Sequence, residues 1–214
     1  VLAYLDRVDP AAGRTARRRY GCLTPYLETP QAYGARAERF GETCEDAVVE
    51  QLVALLEERL RYEARDGQSF FDAEQNARVV CAAEGYFRAM YRASEESWNL
   101  RDSHMFDTLE RVLAFRGASA KAAVWAHNSH IGNAAATGMG ERGELNIGQL
   151  CKARYGRKAV AIGFATDRGE VMAADEWGEP PRVKRVKPSR HDSWERVFRD
   201  AGRAPEGVEL EYHA

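Results

Sequence analysis

The chain has 214 residues, of which 44% are hydrophobic and 10% aromatic, enough to form a sizeable core in one large domain or two small ones. Its 31 Lys+Arg nearly balance its 33 Asp+Glu, and this formal net charge of −2 excludes a strongly basic nucleic-acid binder and an acidic solvating tail. There is no apolar run of membrane-spanning length and no signal peptide among the first residues, so we expect a cytoplasmic protein with no membrane and no nucleic-acid partner.

Residues 1–41 are predicted to be a connecting helical segment, because prolines and glycines interrupt short helical patterns there. The chain opens on VLAYLDRVDP, a sequence typical of the middle of a helix and its exit turn. From this we expect the 214 residues to be part of a longer protein. Four cysteines are widely scattered without a C-x-x-C pair, which predicts free thiols in a reducing compartment: Cys22, Cys44, Cys81 and Cys151.

Residues 42–117 are predicted to form a helical bundle. Apolar residues recur at spacings of three and four in three stretches, around 48–60, 71–91 and 105–113, and each stretch predicts one apolar helix face. Gly67 is expected to separate the first two helices, and Glu84 is expected at the solvent-facing rim of the second. Short connections between the stretches favour packed neighbours.

Residues 118–214 are predicted to be an α/β portion. The runs AAVWAH (122–127), KAVAIGFAT (158–166) and GEVMAADEW (169–177) have the length and composition of strands, and 143–156 reads as a helix capped by Asn146. Strand, helix, strand in about forty residues is typical of a right-handed parallel crossover. The basic segment 180–190 is expected to be a solvated loop, and 191–202 a short last helix. The predicted fold class is α/β, with a short parallel sheet, crossover helices and a helical insertion.

The segment Trp125 to Gly132 (WAHNSHIG) contains the strongest chemical signal, because His127 and His130 directly follow a predicted buried strand. The two side chains converge only if the backbone leaves the strand near Asn128. Paired imidazoles at a strand end suit general acid–base catalysis near neutral pH. Two alternatives stay open: both histidines are structural, or they bind a metal, although no carboxylate is adjacent to complete a ligand set.

A second polar cluster, Arg101 and Asp102, lies at the predicted start of the third helix. The two side chains are expected either to pair locally and stabilise the helix start or to belong to the site. His104 is expected to be exposed and not catalytic. The sequence contains no G-x-S-x-G, Walker or G-x-G-x-x-G motif, which leaves histidine-based hydrolysis without a covalent serine, a metal site or a binding role.

Five segments of the chain resemble the erythromycin esterase family. They are NARVVCAAEGYFRAMY (76–91), SWNLRDSHMFDTLERVL (97–113), VWAHNSHIGNAAAT (124–137), GELNIGQL (143–150) and VAIGFATDRGEVMAADEW (160–177). The resemblance implies a mixed α/β protein and, in macrolide antibiotic-resistance members, lactone hydrolysis by an activated water without an acyl-enzyme or a cofactor.

By motif, the resemblance implies that His127 and His130 are the paired histidines of the active cleft, with Asn128 between them, and that Arg101 and Asp102 are near the site or structural. We expect His127 and His130 to be catalytic and Asn128, Arg101 and Asp102 to bind substrate. Many relatives have Gly-Asp-Ala-Arg where this chain has Gly-Asn-Ala-Ala at 132–135, which alters the charge beside the histidines. The family's water-activating histidine and a glutamate belong to an amino-terminal portion that these residues do not include. We therefore expect that portion to be a partner of the chain, and the 214 residues alone to have little activity.

The resulting hypothesis is a hydrolase of a small-molecule ester or lactone that uses His127 and His130. The competing hypotheses are a metal-dependent hydrolase that uses the same histidine pair and a non-catalytic interaction module of the same fold.

Overall fold

The computed structural model describes residues 1–92, 94–176 and 179–202. The chain divides into two compact units, Val1–Ala161 and Ile162–Ala214. Helices make up most of the first unit, and the second combines a strand pair with one helix.

The amino-terminal residues form three short helices, and local capping explains where they begin and end. Asp9 ends the first helix and starts the second, because its carboxylate accepts a hydrogen bond from the Ala12 N–H at 3.1 Å while Pro10 occupies the first helical position. Gly41, with a φ of +69°, ends the third helix in the left-handed conformation. The helices are α1 (Leu2–Val8), α2 (Pro10–Tyr20) and α3 (Pro30–Phe40), with a 3₁₀ segment at Gly21–Tyr26.

The three predicted helices of the bundle are present as α4 (Glu45–Glu57), α5 (Arg59–Ala89) and α6 (Ser94–Arg116), which confirms the periodicity argument. Their boundaries differ from the prediction, because the first two are divided at Glu58 and not at Gly67. Asp66 has non-helical backbone angles inside α5, and its carboxylate accepts a hydrogen bond from the Ser69 N–H at 3.0 Å. α5 therefore kinks at Asp66, where a new capping interaction restarts it.

Two apolar clusters hold these helices together. The first joins α1 and α2 to α4 and α5, and the second joins α3 to the start of α4. Burial of these side chains supplies the main stabilisation of the unit. The buried members of the first cluster are Tyr4, Leu5, Ala16, Leu55, Tyr62, Phe70, Ala73 and Ala77, and those of the second are Tyr33, Ala37, Cys44 and Val48.

Cys44 of the second cluster forms a disulfide with Cys22, with a Cα–Cα distance of 6.1 Å. The prediction of four free thiols is therefore wrong for this pair and correct for Cys81 and Cys151. Sequence spacing could not reveal the bond, because the fold of α3 brings together two residues that are 22 positions apart.

Buried polar groups also join α3, α4 and α5. Glu84 is 3% exposed, so its predicted position at the rim is wrong. Its carboxylate accepts a hydrogen bond from the Tyr33 hydroxyl at 2.5 Å and pairs with Arg88, which also pairs with Glu45. The Tyr33 hydroxyl in turn accepts the Cys44 N–H at 2.9 Å.

The first unit ends in short elements, and the predicted strand at 122–127 is not among them. Residues 121–127 form no strand, and Trp125 is 89% exposed. An apolar run of this kind forms a strand only when a neighbouring strand pairs with it. No strand pairs with it among the described residues. The helices that follow are α7 (Asn128–Ile131), α8 (Gly138–Glu141) and α9 (Ile147–Tyr155), with 3₁₀ turns at Ala134–Ala136 and Gly156–Lys158.

The second unit contains an antiparallel pair, β1 (Gly169–Ala173) and β2 (Arg182–Val186), in which Gly169 is opposite Val186. The predicted α/β class with a parallel sheet and crossover helices is therefore wrong: this pair is the only sheet in the described part of the chain. The basic segment that was expected to be a loop contains β2, while residues 159–166 form no strand. Trp177, the last residue of the third predicted strand, lies outside the described residues.

The last helix, α10 (Trp194–Ala201), begins after Ser193, whose hydroxyl accepts the Arg196 N–H at 3.4 Å, and ends before Gly202 as predicted. In the ranges that the structure covers, no helix has the length and apolar character needed to cross a bilayer.

Candidate functional site

The helix α7 carries the predicted histidines, and it begins at Asn128, where the backbone was predicted to turn. His127 caps this helix: its Nδ1 accepts the Ser129 N–H at 3.2 Å and lies 3.0 Å from the Ser129 hydroxyl oxygen. Because Nδ1 accepts a backbone N–H, a neutral His127 ring carries its proton on Nε2. The His127 and Asn128 side chains are exposed.

His130 lies on the opposite side of the same turn, against α6. Its Nδ1 is 2.9 Å from Oδ1 and 3.0 Å from Oδ2 of Asp102. The imidazole stacks on the Trp98 indole, with ring centroids 4.7 Å apart and planes inclined by 3°. The His130 side chain is 16% exposed and that of Asp102 is 0% exposed, so this carboxylate–imidazole pair is nearly removed from water.

Asp102 is fixed from a second side by α9. Its Oδ1 accepts the N–H of Ile147, the first residue of α9, at 3.0 Å. The positive end of the helix dipole favours a carboxylate at this position. An ionised carboxylate only accepts hydrogen bonds, so His130 donates through Nδ1–H and its Nε2 carries the lone pair. Asp102 thus sets which nitrogen of His130 is able to take a proton.

Arg101 contacts that second nitrogen. Its Nη2 lies 2.9 Å from Nε2 of His130, and its guanidinium carbon is 5.0 Å from the centre of the Trp98 ring. Arg101 and Asp102 were predicted at the start of the third helix, either paired locally or part of the site. They lie inside α6, which begins at Ser94, and no ion pair joins them among the described residues. Each instead binds a different nitrogen of His130.

A network of hydrogen bonds holds the start of α6 against the loop before α9. The Asn99 amide accepts the Leu145 N–H at 2.8 Å and donates to the Gly143 carbonyl at 2.9 Å, and the Trp98 indole N–H donates to the Leu145 carbonyl at 2.7 Å. Two neighbouring side chains are thereby locked by main-chain groups, which fixes the position of the indole under His130.

Asn146 and Gly148 connect α9 to α7. The Asn146 side chain, 1% exposed, caps α9 through the Gln149 N–H at 2.8 Å, as predicted, and donates to the Ser129 carbonyl at 2.7 Å. A Cβ at Gly148 would overlap the carbonyl oxygens of Ile131 and Gly132, so only glycine permits this close approach of α9. Both residues therefore determine where α7 presents its histidines.

Sequence reasoning assigned no site role to four of these residues, Trp98, Asn99, Asn146 and Gly148. The W-N-x-R-D segment contains two of them, but nothing in its spacing shows that an indole stacks on a histidine more than thirty positions later. Of the predicted set, the structure brings together His130, Arg101 and Asp102, and places His127 and Asn128 on the exposed side of α7.

His104 lies outside this network and is half-buried, and burial lowers its pKa from the ordinary value. Residues 1–92, 94–176 and 179–202 provide no group of three or more His, Cys, Asp or Glu side chains arranged to hold a metal ion.

The sequence model of one protein family, described as erythromycin esterase, matches residues 1–213, essentially the whole chain. The chain belongs to the erythromycin esterase family. The resemblance found in the five sequence segments is confirmed, and membership indicates a hydrolase acting on a small molecule. No solved structure matches this member of the erythromycin esterase family.

Proposed function

We propose that this member of the erythromycin esterase family hydrolyses an ester or lactone and that His130 and His127 carry out its proton transfers. The observation that carries the proposal is the pair formed by the buried Asp102 carboxylate and Nδ1 of His130. A histidine oriented in this way accepts a proton through Nε2, and the carboxylate stabilises the imidazolium that forms.

In the proposed reaction, water attacks the ester carbonyl while a histidine takes one of its protons. The resulting tetrahedral oxyanion then collapses, and the imidazolium returns the proton to the leaving alkoxide oxygen as the carbon–oxygen bond breaks. The products are a carboxylic acid and an alcohol, which for a lactone remain in one molecule. His130 is the better supported proton acceptor, since its orientation is fixed by both Trp98 and Asp102.

His127 is proposed to act on the solvent side of α7. Its Nδ1 is occupied by the cap of the helix, so the exposed ring presents Nε2–H as a donor to a substrate oxygen. Asn128, the first residue of α7, is exposed beside it and is proposed to bind the substrate. Arg101, whose Nη2 contacts His130, is proposed to bind substrate through its guanidinium.

Asp102 was predicted to bind substrate, but complete burial favours a different role. Its carboxylate is reached by His130 and by the Ile147 N–H. A direct contact with a ligand would require both to move, so we assign Asp102 as a positioning residue that acts through His130.

The test is hydrolysis of macrolide lactones, simple lactones and aryl esters by the complete natural protein. His130→Ala and His127→Ala are each expected to lower kcat/KM by about tenfold or more, the lower end of general acid–base contributions. His191→Ala, which removes an exposed histidine from the second unit, is the matched control and is expected to leave kcat/KM unchanged. Wild-type kinetics from His130→Ala would remove the catalytic assignment.

A further inference from the structure

Arg101 is a partly buried cation whose charge is not neutralised within the described structure. Its interactions there are one hydrogen bond to a neutral ring nitrogen and one contact with an indole face. Its Nε is buried and has no hydrogen-bond partner. The guanidinium therefore enters the site with its positive charge and most of its donors uncommitted.

Other partly buried arginines of the same unit are different. Arg78 pairs with Glu74 at 2.7 Å, and Arg88 pairs with both Glu84 and Glu45. A carboxylate is also adjacent to Arg101, but its oxygens are taken by His130 and Ile147. The Asp102 carboxylate therefore binds His130 and does not form an ion pair with Arg101.

The shape of the Arg101 site favours a planar anion. The guanidinium carbon lies over the Trp98 ring, 5.0 Å from its centre. The planar fork of N–H groups matches the two oxygens of a carboxylate. The rings of His130 and Trp98 are stacked beside it, and the edges of this pair favour an aromatic group on the carboxylate.

We propose that Arg101 binds the carboxylate of the acid that hydrolysis produces, and that in doing so it leaves Nε2 of His130. Without a ligand, Nη2 of Arg101 donates to Nε2 and occupies the lone pair that proton transfer requires. An anionic oxygen is a stronger acceptor than a neutral imidazole, so a carboxylate draws the guanidinium to itself. The same displacement by the developing oxyanion would free Nε2 during the reaction, so the proposal deepens the function proposed above and rests on it.

The consequence is a site that recognises carboxylates by shape as well as charge. Benzoate is the probe, with acetate as its small analogue and with phosphate and chloride as anions of other geometry. Binding is measured with the complete natural protein at constant ionic strength, from the ¹⁵N resonances of the His130 ring and from competitive inhibition of ester hydrolysis.

We expect benzoate to shift the Nε2 resonance of His130. Arg101→Gln is expected to weaken benzoate binding by about tenfold or more, because it removes a charge-assisted pair of hydrogen bonds. Arg101→Lys keeps the charge without the planar fork and is expected to lie between the two. Arg111→Gln is the matched control and is expected to bind benzoate as the wild type does. Among the described residues, this arginine of the same helix bonds only the Asp107 carbonyl.

Equal benzoate affinity in Arg101→Gln and wild type would overturn the proposal, as would the absence of benzoate binding to the wild type. Phosphate and chloride binding as strongly as benzoate would overturn the carboxylate preference. Thermal unfolding shows whether Arg101→Gln is folded, and if it is not, the benzoate affinity of Arg101→Lys is compared with that of the wild type instead. Arg101-dependent benzoate binding without ester turnover would sustain the anion site and reject the hydrolase, so the two proposals fail separately.

Discussion

Two buried carboxylates in the first unit have contrasting surroundings. Glu84, inside the bundle, receives the Tyr33 hydroxyl at 2.5 Å and an ion pair from Arg88. Asp102, inside the first half of α6, receives the His130 ring and a backbone N–H, while the neighbouring Arg101 binds the other side of that ring. Both sets contain a carboxylate, an arginine and an aromatic ring. Only in the first does the arginine form an ion pair with the carboxylate.

The difference indicates what each set is for. Around Glu84 every strong donor is matched to an acceptor, so the set fixes the packing of α3, α4 and α5 and has no free capacity. Around Asp102 the carboxylate supports a ring that is able to change its protonation state, and the cation remains available. The first arrangement stabilises the fold, and the second is suited to chemistry.

The largest effect on stability is expected from removing the buried Glu84 carboxylate. Glu84→Ala leaves the Tyr33 hydroxyl and Arg88 without their buried acceptor and should lower the free energy of unfolding by about 3–5 kcal/mol, measured by urea denaturation. Glu45→Ala removes the other, 50% exposed partner of Arg88 and should cost less than about 1 kcal/mol. Equal losses from the two variants would contradict the view that Glu84 is the structural centre of this set.

A smaller effect on stability is expected at the site from disturbing the close packing of α9 at Gly148. Gly148→Ala forces α9 away from the carbonyls of Ile131 and Gly132 and should lower the free energy of unfolding by about 1–3 kcal/mol. It should also reduce ester hydrolysis more than stability alone explains, because α9 supports both Asp102 and α7.

Gly85→Ala is the matched control for Gly148→Ala. Gly85 lies inside α5 with open space at its Cβ position, so alanine should stabilise the protein by about 0.5–1 kcal/mol. If Gly148→Ala proves as harmless as Gly85→Ala, α9 does not approach α7 as closely as described.

The smallest effect is a loss of folding stability that appears only at alkaline pH. Burial, reinforced by the hydrogen bond to Glu84, raises the pKa of Tyr33 to about 12, and burial raises the pKa of Tyr20 to about 12. Between pH 10 and 12 the unfolded chain has lost phenol protons that the folded state retains, so rising pH favours unfolding. Denaturation at several alkaline pH values should show this decline, and Tyr33→Phe should reduce its slope without abolishing it. An unchanged slope would contradict the buried position of the Tyr33 hydroxyl.

The sequence predicted the elements whose signals are local. Apolar residues at spacings of three and four identified α4 to α6, and Asn146 identified the start of α9. The apolar runs at 122–127 and 158–166 misled the prediction, because an apolar run becomes a strand only when another strand pairs with it. The pairing of β1 with β2 was missed because the many basic residues in 180–190 resemble a solvated loop.

The sequence predicted several residues of the candidate site but not the contacts between them. The motifs identified His130, Arg101 and Asp102, but they left open whether Arg101 and Asp102 pair locally or belong to the site. Folding instead separates the two side chains across one imidazole, 28 residues away from Asp102 along the chain. Such contacts depend on how α6, α7 and α9 pack, which no local pattern contains.

The most direct measurement is which nitrogen of the His130 ring carries the proton at neutral pH, read from long-range ¹H–¹⁵N NMR spectra. If Asp102 orients His130, the ring carries a proton on Nδ1 and none on Nε2, and Asp102→Asn abolishes this preference together with most of the ester hydrolysis. A proton found on Nε2 in the wild type, or a preference unchanged in Asp102→Asn, would contradict the claim that Asp102 orients the working histidine.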